Sequence, residues 1–379
     1  MKKILIVNIG TEIGGIEKCL INFLKYLEKK DCKVDLALWK SSGPLYDEIP
    51  DFVNILPSPG PGSFSEIRKE RNIINLFYKF FKYVMFKVYG KLGCPWKSLK
   101  KNKEKYDIAI SYCQNGYSPY FLIDNIKANK KYLWYHELNY IGTENNKNMD
   151  IKYFEKYDNI ICVSEACKNN LIKTFPSLEN KFITLYNFYN IDEIKSKADL
   201  EPNPFDNVNK NILLTVGRLS PEKGVELAIS ACVELSNKCD NFVWYWVGDG
   251  PERENAEVLI NKYGLSDKMF FLGNRINPYP FMKFCDVYVQ SSLSEAFCTT
   301  IIEAKILNKS IVSTDVESVY EQIIQSDFSV ITEKNAHSLA VGINKVLCSL
   351  SNLVVNYDFD SINDEKSYDA VFFDNSKSI

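Results

Sequence analysis

Runs of β-branched and aromatic residues recur along the first half of the chain, at 4–8, 34–39, 107–112, 132–135 and 160–164. Each is short and apolar at consecutive positions, the pattern of a strand buried on both faces. After the first run, Ile16, Leu20, Phe23, Leu24 and Leu27 fall at helical spacing and put one apolar stripe along a helix. A second series of strand-like runs, at 212–216, 242–247, 269–272, 287–290 and 311–314, begins after the polar, proline-bearing stretch 195–210. Strands alternating with helices predict a parallel sheet covered on both faces. Two such series predict two doubly wound α/β domains, 1–195 and 205–350, joined by that stretch. Residues 351–379 form a polar, acidic tail with an apolar patch at 368–373, whose packing the pattern leaves open. Ligands of such sheets lie beyond the carboxyl ends of the strands, so chemistry is expected in the loops that follow them, facing an interdomain cleft.

The length of 379 residues agrees with two domains, since a single core rarely grows that far. A net charge of −2 gives no global attraction to nucleic acid. The 11 cysteines include no CxxC pair and fall largely in apolar runs, as reduced buried thiols do. With His136 and His337 the only imidazoles, a structural zinc site is not expected. The opening run is too short for a signal peptide and no apolar run reaches a membrane span, so the expected location is cytoplasmic, peripheral to the inner face of the plasma membrane at most.

Three loops carry candidate chemistry. Gly10 to Glu17 leads from the first strand into the amphipathic helix, and the Gly14-Gly15 turn exposes backbone N–H groups at a helix start, an anion site or simply a tight turn. In the second half, 216–224 reads VGRLSPEKG and puts Arg218 and Lys223 on one loop after a strand. A guanidinium fork and a compact ammonium together suit a diphosphate, although a solvated surface loop would look the same. The segment 294–303, SEAFCTTIIE, separates Glu295 from Glu303 by Ala296, Phe297, Cys298 and Thr299 to Ile302. N–H groups at the opening of that helix could bind phosphate oxygens while the carboxylates accept hydrogen bonds from sugar hydroxyls; otherwise the acids merely complement the helix dipole. His136 follows a strand and is either a core residue or a site residue. Asp358-Phe359-Asp360 looks like a metal-binding DxD, but lies in the tail, where chance explains it better.

From 66 to 105 the chain holds twelve Lys or Arg against three Glu. Lys79, Lys82 and Lys87 fall opposite Phe77, Phe81, Val84, Met85 and Val88, so the region from Arg68 to Lys105 predicts either a helix lying on an anionic membrane or a core helix with a lysine face.

Taken together these motifs resemble family 4 of the retaining glycosyltransferases, over roughly residues 3–345. The resemblance implies the GT-B fold, an acceptor-binding N-terminal domain and a nucleotide-sugar-binding C-terminal domain. It implies that Gly14 and Gly15 approach the donor phosphate and that Arg218 and Lys223 bind the diphosphate. Glu303 would hold the ribose, Glu295 the transferred sugar, with Ala296, Phe297, Cys298 and Thr299 lining the donor site and His136 near the reacting centre. The activity implied is hexosyl transfer with retention and without metal or other cofactor, from a UDP-sugar or another NDP-sugar to a glycan or lipid-linked glycan, in bacterial surface polysaccharide synthesis. A non-catalytic GT-B binding or adaptor protein and a GT-B sugar-nucleotide epimerase are the alternatives. Two departures stand out: the family's Glu-Gly-Phe-Gly is Glu295-Ala296-Phe297-Cys298 here, and its Gly-Val-Pro after the helix is Asn308-Lys309-Ser310.

Overall fold

The computed structural model describes residues 1–62, 72–352, 355–357 and 363–374. Arg68 and the Asp358-Phe359-Asp360 string lie outside the described residues.

The first sheet contains β1 (Lys2–Asn8), β2 (Cys32–Leu38), β3 (Asn54–Leu56), β4 (Lys105–Ser111), β5 (Lys127–Tyr135), β6 (Asn159–Cys162) and β7 (Phe182–Thr184). Their order is β3-β2-β1-β4-β5-β6-β7, and every described pairing is parallel. Ile4, Leu5, Ile6 and Val7 are all buried, as a strand covered by helices on both faces requires. The stripe read from the sequence is the buried face of the helix Gly15–Glu28, which includes Leu20, Phe23, Leu24 and Leu27.

The second sheet contains β8 (Asn211–Val216), β9 (Phe242–Val247), β10 (Met269–Gly273), β11 (Val287–Gln290), β12 (Ser310–Thr314) and β13 (Ser329–Thr332), in the order β10-β9-β8-β11-β12-β13 and again parallel. In both sheets the winding reverses beside the first strand, between β1 and β4 and between β8 and β11. Loops leaving two such neighbours turn to opposite faces and open a crevice at their carboxyl ends.

The chain divides into two compact units: 1–163 with 167–188 and 365–379, and 164–166 with 189–364. The stretch 195–210, read from the sequence as a linker, thus falls in the second unit. Its helix Ile191–Ala198 buries Ile194 and Ala198, and Phe205 joins them in the core with Tyr279, Met282 and Ile302. The tail does not remain apart either. The helix Glu365–Phe372 packs in the first unit, with Tyr368 and Phe372 buried. Their rings meet Phe23, Tyr26 and Trp134, and Asp369 accepts a hydrogen bond from Tyr26 and pairs with Lys30 at 2.7 Å.

The basic segment includes the helix Ile73–Lys91. Its expected apolar face is not a core face: Phe77, Phe81, Val84 and Val88 are exposed. Lys82, expected among the outward lysines, instead donates to the Gly60 carbonyl at 2.8 Å, and burial lowers its pKa.

Candidate functional site

In the second unit, β8 and β11 are hydrogen-bonded neighbours, so the loops 217–224 and 291–298 leave the sheet side by side. Gly217 and Leu219 donate N–H bonds to Val247 and Asp249, which tie the first loop to the end of β9. Gly224 sits at φ +67° with its α-carbon against the Ser291 carbonyl, where a Cβ would overlap that oxygen. Only glycine allows both the dihedral and the approach. The contact is completed by Ser291 Oγ, which donates to the Lys223 carbonyl at 2.9 Å.

This brings the Lys223 ammonium to 2.6 Å from Glu295 Oε1. The same oxygen accepts from Ser292 Oγ at 2.7 Å and Gln290 Nε2 at 3.0 Å. Ser318 Oγ donates to the Glu295 backbone carbonyl, fixing the loop from below. Burial alone would lower the Lys223 pKa, but the charge and hydrogen bond of Glu295 outweigh it, and the net shift is upward. The ammonium thus lies beside a nearly buried carboxyl whose Oε1 three donors hold in place. Behind it the hydroxyls of Tyr288 and Thr300 meet Gln290 Oε1, extending the network to the start of the helix Thr299–Ile306.

Arg218 stands apart from this network. Its side chain is 67 % exposed and its guanidinium pairs with Glu222 Oε1 at 2.9 Å. Glu222 also accepts from Ser220, and although burial opposes it, these donors hold its carboxyl below the usual range. Glu303 lies just over one turn into the helix Thr299–Ile306, buried, where Tyr279 donates to its Oε1 at 3.0 Å. The Cys298 N–H, expected to be open to a phosphate, is engaged by Gln322 Oε1 at 3.1 Å, while Gln322 Nε2 returns a bond to the Cys298 carbonyl. Burial, reinforced by the Glu295 charge, pushes the Cys298 thiol up to about 12. Ala296 is buried and Phe297 half-buried beside these groups. Tyr279, Tyr288, Gln290, Ser292 and Gln322 were not singled out in the sequence; the polar run Gln290-Ser291-Ser292 closing an apolar strand was the available signal.

In the first unit, Gly14 caps the helix Gly15–Glu28 in extended conformation without a side-chain cap bond. The Glu17 carboxylate folds back over it, so that a Cβ at Gly14 would strike Glu17 Oε2. The helix opening read as an anion site thus holds the chain's own carboxylate. Burial raises the Glu17 pKa, its own backbone N–H draws it down, and Glu12 raises it further. His136 directly follows β5. Its backbone N–H donates to Gln114 Oε1 at 3.0 Å, and its Nε2 lies 2.9 Å from the Tyr112 carbonyl. A carbonyl only accepts, so the ring proton sits on Nε2 and Nδ1 keeps its lone pair. Burial lowers the imidazole pKa to about 4, against a smaller upward pull from that carbonyl, and leaves the ring neutral near pH 7. Around the same carboxyl edge, Asn8 Oδ1, Thr11 Oγ1 and Gln114 Nε2 are buried without a protein partner.

Among the described residues, no group of three or more His, Cys, Asp or Glu could hold a metal ion, and no helix is long and apolar enough to cross a membrane.

Two all-parallel sheets, each with its crevice beside the first strand, define the GT-B class, and solved structures of that class share the fold. The Anabaena protein HepE, determined with UDP, covers 97 % of this chain and 99 % of its own with a TM-score of 0.68 at 19 % identity. Staphylococcus aureus TarM, determined with UDP and a glycosylated glycerol, covers 99 % and 100 % with a TM-score of 0.69 at 14 % identity. Residues 196–351 match the family model of glycosyl transferases group 1. An uncharacterised glycosyltransferase of Methanocaldococcus jannaschii is 32 % identical over 184 residues, 47 % of this chain and 45 % of the relative. A Campylobacter jejuni N-acetylgalactosaminyltransferase named for a diphospho-undecaprenol substrate is 28 % identical over 196 residues, 51 % and 52 % of the two chains. The chain spans about half the length of these curated relatives.

Proposed function

We propose that the protein transfers a sugar from a nucleotide-diphosphate donor, a UDP-sugar by preference, to a hydroxyl of a glycan or lipid-linked glycan, with retention of configuration and without a metal. The observation that carries this reading is the Lys223–Glu295 pair, set where β8 and β11 diverge. A cation held there can neutralise the charge that develops on a departing diphosphate, and its preorganisation removes the need to reorient at the moment of reaction. Arg218, exposed and paired only at the surface, swings to the same diphosphate. Glu295 and Glu303 accept hydrogen bonds from the transferred sugar and the ribose.

No side chain is assigned as covalent nucleophile. The bond from the anomeric carbon to the phosphate oxygen breaks with its electron pair going to the diphosphate. The acceptor oxygen bonds to the same face of that carbon, and its proton passes to the departing phosphate. His136, neutral and proton-bearing at Nε2, orients a hydroxyl through Nδ1, and the unpartnered atoms of Asn8, Thr11 and Gln114 receive acceptor hydroxyls. UDP in HepE and TarM supports the donor class, and the undecaprenol-linked substrate in the Campylobacter relative's name supports the acceptor class and a role in bacterial surface polysaccharide synthesis.

The test is product identification. The chain is incubated with a panel of nucleotide sugars and lipid-linked acceptors and the products are separated by chromatography. Free nucleotide diphosphate together with an α-linked product from an α-linked donor supports the proposal. An isomeric nucleotide sugar would instead mean epimerisation, and donor binding without any turnover would mean an adaptor.

A further inference from the structure

The helix Ile73–Lys91 presents a feature that the transfer chemistry does not use. Ile74, Phe77, Phe81, Val84, Val88 and Leu92 recur three or four residues apart and are all exposed, Phe77 by 70 % and Phe81 by 64 %. The opposite side of the helix turns toward the first unit, where Phe86 packs edge-on against Tyr117 and Lys82 reaches the Gly60 carbonyl. The outward stripe is therefore fixed in direction. Scattered exposed apolar residues are ordinary on a protein surface, but a continuous stripe along five turns marks an interaction face.

The charge around the stripe identifies what covers it. From Asn72 to Lys103 the chain has eight lysines and no carboxylate. Lys79, Lys87 and Lys91 are exposed on the helix itself, the last two beside the stripe at its C-terminal half. A second copy laid against this face would bring lysines against lysines. An anionic bilayer complements both features at once, since phenyl rings enter the headgroup boundary while ammonium groups meet lipid phosphates. With four lysines in 19 residues the helix lies in the interface rather than crossing it.

We infer that the face formed by Phe77, Phe81 and the flanking Lys87 and Lys91 docks the protein onto an anionic membrane surface. The inference stands on this surface alone, whichever sugar the second unit handles.

Flotation of the full chain with vesicles tests it, comparing phosphatidylglycerol mixed into phosphatidylcholine with phosphatidylcholine alone. The chain should float with the anionic vesicles at low salt and remain behind with the neutral ones. Phe77→Ser with Phe81→Ser should weaken binding at least about tenfold, given the area each ring buries, while the melting temperature stays that of the unsubstituted chain. Lys87→Gln and Lys91→Gln should each weaken it roughly fivefold and flatten the salt dependence. Failure of the unsubstituted chain to float at low salt overturns the inference. So does flotation that ignores the phenylalanine pair, or a dimer in sedimentation equilibrium that the same pair dissolves.

Discussion

Lys223 and Glu295 hold each other at 2.6 Å, and the two are not equivalent in what their loss would do. If Lys223 binds the diphosphate as proposed, Lys223→Ala removes a charge-assisted contact worth about 1.5–3 kcal/mol, and transfer should slow roughly 10- to 100-fold in kcat/KM. Glu295 would still keep Ser292 and Gln290 as donors, so the fold should survive, which circular dichroism can check alongside steady-state kinetics. Unchanged kinetics in a folded variant would remove Lys223 from the diphosphate. His136 gives a prediction in pH. Its native pKa of about 4 lies below the ordinary 6.5, so between those values the unfolded chain binds more protons than the native one. The stability contributed by the neutral ring is complete above 6.5 and is lost as pH falls toward 4. His136→Asn should flatten the pH dependence of the urea midpoint across that window. Both residues were visible in the sequence because each follows a strand. Gln290, Tyr288 and Gln322 were not, because a buried hydrogen-bonding side chain reads as an ordinary polar interruption until its partners are known. The Gly14-Gly15 turn read as an anion site or a tight turn for a related reason: nothing in the string of letters says that the Glu17 carboxylate folds over Gly14.

At the scale of elements, the clearest dependence is that of the first unit on the helix Glu365–Phe372. Phe372 is buried against Phe23, Tyr132 and Trp134, and Tyr368 donates to the Tyr186 carbonyl at 2.6 Å. Phe372→Ala should destabilise by about 3–5 kcal/mol, as loss of a fully packed ring does, and lower the chemical-denaturation midpoint accordingly. A change below about 1 kcal/mol would mean the helix is dispensable to that core. The ten strands read from hydrophobic runs are all present; the three that escaped are β3, β7 and β13. Each is a sheet edge of three or four residues. An edge strand needs one paired side and little burial, so it carries too few apolar residues to stand out from a loop. The tail helix was hidden differently: its buried side shows only Tyr368 and Phe372, in a segment otherwise rich in charge.

For the molecule as a whole, the candidate site of the second unit is built from loops far apart in sequence that one sheet brings together. A nucleotide that binds only the folded state should therefore stabilise it by mass action, by about 2.7 kcal/mol at a hundred times Kd. Hydrogen exchange with and without UDP should show the gain at 217–224 and 291–303; equal protection there in both conditions would place the nucleotide elsewhere. The fold class was legible because two strand–helix series need two parallel sheets. The division of the chain was less so, because Phe188 and Tyr189 lie in one unbroken aromatic run whose members bury in different cores. Placing the last described helix in the first unit also has a consequence for birth on the ribosome. The first unit can assemble its sheet early, but Tyr368 and Phe372 are translated only after nearly all of the second unit. At about 5–20 residues per second the gap is on the order of tens of seconds. For that interval Phe23, Tyr26 and Trp134 wait beneath an uncovered opening, and the nascent chain depends on whatever shields aromatic surfaces from one another until Tyr368 and Phe372 emerge.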